Sequence, residues 1–204
     1  MKRIAVFWIL LMSLTMTCQT KNSQDKEIVV PEFNKILDSL QVKGSILIYS
    51  FTDKKYYSNN FTWAKTGFIP ASTFKIPNSI IALETGVIKN ESKVFKWNGE
   101  KRWNKKWEQD LTVKEAFQVS CVPCYQEVAR KIGVERMKTY LNKINYKGMV
   151  FDSTTIDNFW LYGESKITQI QQIQFLKRFY FSELPISKRT ESVLKNIMFV
   201  EKSA

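Results

Sequence analysis

"PASTFKIPNSIIALETGVIKNE", residues 70–91, decides how the rest of this chain is read. Ser72 stands three positions before Lys75, and an apolar run through Ile80, Ile81 and Leu83 follows, up to Gly86. The pattern predicts a helix from Ser72 to Leu83, ended by Gly86 where a helix C-terminus favours glycine. Positions i and i+3 share a helix face, so the Ser72 hydroxyl and the Lys75 amine can approach each other. A helix start leaves backbone N–H groups without intrahelical partners, and these can stabilise an oxyanion beside the serine. Desolvation of a lysine in apolar surroundings lowers its pKa. The neutral amine can then take a proton from serine or react with carbon dioxide to give a carbamate. Alone, Ser-x-x-Lys is equally the pattern of a capping serine followed by a surface lysine.

Composition narrows the chemistry further. The 204 residues contain no histidine, which excludes Ser-His-Asp and Cys-His arrangements and the His-Glu-x-x-His zinc site. Any general base must be a lysine, a carboxylate or a tyrosine. The length suits one domain with a substantial core, and 44% apolar with 14% aromatic residues is an ordinary globular balance. The net charge of +12 comes from lysines and arginines interleaved with Glu, Asp and Asn. No continuous basic block of the kind that marks a nucleic-acid patch is present, so no nucleic-acid partner is expected.

Working outward to the start, "MKRIAVFWILLMSLTMTC", residues 1–18, has basic Lys2 and Arg3, a short apolar centre and small polar residues before Cys18. This is the layout of an export signal, and its apolar core is too short to span a bilayer. Cys18 sits where a lipoprotein signal presents its lipid-modified cysteine; ordinary cleavage nearby is the alternative. Residues 19–30 read as a polar tether, leaving 31–204 as the folded domain. Export to a bacterial periplasm or cell envelope follows either way, with membrane attachment through Cys18 if that residue is lipidated.

Beyond the tether, "PEFNKILDSLQ" has helical spacing, and "KGSILIYSFTDKKYYSNN" reads as an antiparallel hairpin turning at Thr52 to Lys54, with "SILIYSF" the more buried strand. The segments "TVKEAFQVS", "CYQEVARKIGVERMKTYLNKI", "ITQIQQIQFLKRFYFSEL" and "SKRTESVLKNIMF" carry further helical periodicity. Between them, "KWNGEKRWNKKWEQDLT" reads as a long surface loop anchored by Trp97, Trp103 and Trp107. Cys121 and Cys124 form a C-x-x-C that could be a redox pair in an oxidising compartment. Without a βαβ context, packing of two small apolar side chains is the reading preferred here.

From about Gly44 to about Val200 the chain closely resembles class D β-lactamases. The blocks "PASTFKIPNSIIALETGVIKNE", "VFKWNG", "WEQDLTVKEAFQVSCVPCYQEVARKIG" and "DNFWLYG" followed by "KIT" stand in the family's order and spacing. The resemblance implies an α+β, penicillin-binding-protein transpeptidase-like fold with a helical region packed on an antiparallel sheet. It implies Ser72 as the nucleophile that forms an acyl-enzyme with a β-lactam, and carboxylated Lys75 as general base. Ser120 would relay a proton to the leaving nitrogen and Val122 would pack near the lysine. Trp160 would hold the carbamate through its indole N–H, Leu161 would form an apolar lid, and Tyr146 would belong to a wall of the site. No cofactor is implied beyond carbon dioxide for Lys75, and no metal. Two departures bear on specificity and completeness. Tyr146-Lys147-Gly148 replaces the family's Tyr-Gly-Asn, and the Lys-Thr-Gly strand with the C-terminal sheet strands is missing, so weak or no hydrolysis is expected of this chain as it stands. The alternative expectation is a β-lactam sensor or penicillin-binding domain that acylates without turnover.

Overall fold

The structure, a computed structural model, describes residues 26–200. The signal segment, Cys18 and the first part of the tether lie outside the described residues.

The chain enters on strand β1 (Lys26–Val29), within the stretch expected to be a tether, and continues into helix α1 (Phe33–Ser39). Strands β2 (Leu47–Ser50) and β3 (Lys55–Ser58) form the expected antiparallel hairpin, with Ile48 opposite Tyr57. β1 joins the other edge of β3 in parallel, with Glu27 opposite Tyr56, so the three-stranded sheet runs β1-β3-β2. This corrects the burial expected from sequence: β3, not β2, is the more buried strand, because it lies between two partners and turns Tyr56 and Ser58 inward.

The single helical turn α2 (Phe61–Ala64) leads into α3 (Lys75–Glu84), the axis of the helical region. Every residue from Pro77 to Leu83 is buried, the signature of a helix with neighbours on all sides. The short antiparallel pair β4 (Val94–Phe95) and β5 (Leu111–Thr112) brackets the tryptophan loop. Trp107 anchors that loop at 5% exposure, whereas Trp103 stands 83% exposed.

Thr112 opens α4 (Val113–Gln118) through a reciprocal cap: its hydroxyl accepts from the Glu115 N–H, and the Glu115 carboxylate accepts from the Thr112 N–H. The helical stretch from Cys124 to Ile144 is two helices, α5 (Val122–Ile132) and α6 (Val134–Lys143), broken at Gly133, whose φ of +77° favours a residue without Cβ. Helices α7 (Gln169–Tyr180), capped by Thr168 and Gln171, and α8 (Lys188–Met198), capped by Ser187, complete the described chain. α3 packs against α5, α6 and α8, α4 packs against α8, and α7 lies against β2. The result is an α+β arrangement with its helical core beside a small sheet. No helix among the described residues is long and apolar enough to cross a membrane.

Candidate active site

Ser72 lies in a 3-10 turn, Ala71–Phe74, and the α-helix begins only at Lys75. Pro77 accounts for the later start than periodicity predicts. Its ring would oppose the carbonyl four residues back if α-geometry began at Ser72, but it is tolerated in the first turn of a helix beginning at Lys75. Ala71 at φ +46° turns the chain sharply, and its N–H donates to the Trp160 carbonyl at 2.8 Å. Phe74 is fully buried, stacked on the Trp160 ring and edge-on to Phe159 and Tyr146. This aromatic anchor holds the turn while Ser72 itself faces outward, exposed.

Lys75 is half-buried. Its Nζ donates to the Phe117 carbonyl at 2.6 Å and lies 4.6 Å from the centre of the Phe117 ring. The ring face favours the cation. Burial nevertheless pushes the amine below its ordinary value. Among the described residues no hydrogen bond joins Lys75 to Ser72. The hydroxyl partner of Ser72 is Ser120, Oγ to Oγ at 2.8 Å.

Ser120 occupies the junction between α4 and α5 at φ +54°, a conformation serine adopts only when its surroundings enforce it. The Ser120 N–H donates to the Phe117 carbonyl, the Cys121 N–H donates to the Ala116 carbonyl, and the Trp107 indole donates to the Val119 carbonyl at 3.0 Å. Cys121 and Cys124 form a disulfide, which corrects the reading of the pair as packed thiols. The Cα atoms of an i, i+3 pair on the first turn of α5 lie 5.4 Å apart, within the range a disulfide spans.

The remaining residues named from sequence are dispersed around this centre. Val122 opens α5 half-buried against the core, and Leu161 is likewise half-buried. Trp160 is 2% exposed and lies directly beneath the Ala71–Phe74 turn through its stacking on Phe74. Tyr146 lies behind Phe74 in the core, 3% exposed, with its hydroxyl donating to Gln172 Oε1 at 2.9 Å. Burial raises the Tyr146 phenol well above its ordinary value. Gly148 of the Tyr-Lys-Gly sequence sits at φ +86° with its Cβ position 2.1 Å from the Lys166 carbonyl, so no other residue fits there without moving the chain. Sequence reasoning missed the Phe117 carbonyl and the Trp107–Val119 bond. The first is a main-chain atom with no residue signature, and the second joins a loop to a helix end twelve positions away.

The arrangement therefore joins an exposed serine hydroxyl, a second hydroxyl in direct contact with it and a desolvated amine at the head of the helix that follows the first serine's turn. A model of the penicillin-binding protein transpeptidase domain matches residues 40–204. β-Lactamase OXA-10 of Pseudomonas aeruginosa is 43% identical over 169 residues, covering 83% of this chain and 63% of that protein. β-Lactamase OXA-5 of the same organism is 39% identical over 201 residues, covering 98% of this chain and 73% of its own length. The crystal structure of the class D β-lactamase YbXI from Nostoc superposes with a TM-score of 0.80 at 42% identity, over 86% of this chain and 73% of that one. The chain belongs to the class D β-lactamase family. The fold and the helical core around α3 are those of a class D β-lactamase, and the chain spans 63% of the length of the OXA-10 relative.

Proposed function

We propose that this class D β-lactamase family member opens β-lactam rings through a serine acyl-enzyme. Ser72 Oγ attacks the β-lactam carbonyl, and the proton it loses passes to Lys75 or, through Ser120, to the departing ring nitrogen. The observation that carries the reading is the 2.8 Å contact between the Ser72 and Ser120 hydroxyls at the head of a helix whose first residue is a desolvated lysine. A proton can cross that contact without intervening water.

The environment of Lys75 fits carboxylation. A neutral amine can give one N–H to the Phe117 carbonyl and still present its lone pair to carbon dioxide, and burial favours that neutral form. A carbamate there would supply a carboxylate-type general base in a protein without histidine. Trp160 and Leu161 would enclose it, and Val122 would exclude water from its far side. The substrate class is β-lactams of the penicillin and oxacillin type.

Export to the bacterial envelope is the location proposed. The signal-like N-terminus and the Cys121–Cys124 disulfide, a bond that persists in oxidising compartments, support it. Cys18 is the proposed point of membrane attachment.

The test is mass spectrometry of the chain after exposure to penicillin, paired with nitrocefin turnover. The expected result is a covalent adduct on Ser72 that is lost in Ser72→Ala and decays slowly, with weak turnover as product forms. An adduct that persists for hours with no turnover would favour a penicillin-binding sensor. No adduct at all would overturn the assignment of Ser72.

A further inference from the structure

Ser120 touches the proposed nucleophile from a backbone conformation that serine does not hold by itself, so its neighbours must hold it. On the upstream side the restraints are hydrogen bonds: Trp107 Nε1 to the Val119 carbonyl at 3.0 Å, Ser120 N–H to the Phe117 carbonyl at 3.2 Å, and Cys121 N–H to the Ala116 carbonyl at 2.8 Å. On the downstream side the restraint is covalent. The very next residue, Cys121, is tied to Cys124 one helical turn later, and Cys121 Sγ also accepts the Cys124 N–H at 3.3 Å as the cap of α5. The chain can rotate at Ser120 only if the first turn of α5 rotates with it.

The disulfide also has a route to solvent that avoids the proposed active site. Cys121, Cys124 and Trp107 line a polar cavity of about 400 Å³ beside Arg102 and Arg130, and neither Ser72 nor Lys75 is among its lining residues. Cys124, 8% exposed, is the more accessible residue of the pair; Cys121 is 1% exposed.

We propose that the Cys121–Cys124 disulfide is a positioning element for the reaction: it fixes Ser120 against Ser72, and its reduction from the cavity side slows acylation. The inference rests on the reading of Ser72 as nucleophile and Ser120 as proton relay. The reducing step balances with a small dithiol. One thiolate of the reagent attacks Cys124 Sγ, the S–S bond breaks, and Cys121 leaves as a thiolate that takes up a proton. The second thiol of the reagent then displaces Cys124, so the protein gains two electrons and two protons while the reagent closes to a cyclic disulfide. In the dithiol form Ser120 is held by hydrogen bonds alone, and a displacement of the relay hydroxyl by a fraction of an ångström to an ångström lowers the acylation rate about tenfold or more.

The experiment compares the oxidised chain, the dithiothreitol-reduced chain and Cys121→Ser/Cys124→Ser, each with and without Ser120→Ala. It measures the pre-acylation dissociation constant and the acylation rate constant with a fluorescent penicillin, and hydrogen exchange at residues 119–124. Alkylation without reductant should leave both cysteines unmodified; labelling of both in protein from an oxidising compartment would overturn the proposal. Reduction or the double Ser substitution should cut the acylation rate about tenfold, leave the dissociation constant unchanged and speed exchange at Ser120 and Cys121. In the Ser120→Ala background reduction should have no further effect on the rate. An equal loss in that background, or a lower melting temperature with an unchanged acylation rate, would reduce the bond to a structural staple and overturn the positioning role. If the oxidised chain is never acylated, the reading of Ser72 fails separately. The clamp is then decided by exchange alone, and unchanged protection at residues 119–124 on reduction refutes it.

Discussion

Lys75 carries a conflict between stability and chemistry in a single side chain. Its amine is desolvated, so below its lowered pKa the folded state holds a charge that the unfolded chain holds more comfortably in water. Between that pKa and the ordinary value of 10.5, the unfolded state binds more protons than the folded one, and stability rises with pH. Lys75→Met is expected to abolish turnover while raising the melting temperature at pH 7 in bicarbonate-free buffer. That advantage should shrink as pH approaches 10.5; thermal melts of both proteins across pH 7 to 10.5 measure it. Glu84 presents the opposite case. Burial pushes its carboxyl up, but hydrogen bonds from Thr190 and from the Ser187 N–H and hydroxyl, with Lys143 nearby, hold it below its ordinary value. Its contribution is therefore present above about pH 4.5 and lost as pH falls through the folded value. Glu84→Ala should cost about 2 kcal/mol in a urea titration at pH 7, with most of the difference gone in strong acid.

At the scale of elements, the helices that position the site depend on caps written plainly in the sequence. Thr112 with Glu115, and Thr168 with Gln171, both form the reciprocal pattern that a Ser/Thr-x-x-Glu/Gln spacing announces. Thr112→Ala is expected to lower stability by about 1 kcal/mol. Because α4 ends at the Phe117 carbonyl and Ser120, it should also lower the acylation rate more than an equally destabilising change on the α1 surface does. Rate and melting temperature measured on both variants separate the two effects. Periodicity carried the helical reading through α3, α7 and α8, since their apolar residues face a common core. It failed to mark the break at Gly133, because apolar spacing continues across a junction that only a positive φ reveals. It also placed Ser72 inside an α-helix, where the proline two residues after Lys75 delays the α-geometry. Strand β1 was illegible because "KEIV" is too short and too charged to declare itself without β3 beside it.

At the scale of the whole molecule, burial is uneven. The helical core closes around α3, but the sheet side leaves Phe51, Tyr180, Phe181 and Phe199 between 48% and 64% exposed. Phe51, Tyr180 and Phe199 line a groove of about 540 Å³ between β2 and helices α7 and α8, with Phe181 edge-on to Phe51 and Tyr180, and among the described strands β2 pairs only with β3. An open strand edge beside aromatic surface favours association. Light scattering should therefore show concentration-dependent self-association that salt does not relieve, and Phe51→Ser with Phe181→Ser should reduce it without changing acylation of Ser72. Family membership was legible because its blocks are contiguous in sequence. The contact between Ser72 and Ser120 was implied only through that resemblance, since the two residues stand 48 positions apart and meet only once α3 and α5 pack.

The Phe117 carbonyl receives the Lys75 amine and the Ser120 N–H together. Both groups thus take their bearings from an atom that no codon change can delete. Substitution at position 117 can alter the ring but not the oxygen, so point mutation has few ways to separate these two groups. Variation in this enzyme family member should accordingly accumulate around the pair, in the walls and lids, and seldom in the spacing between the groups themselves.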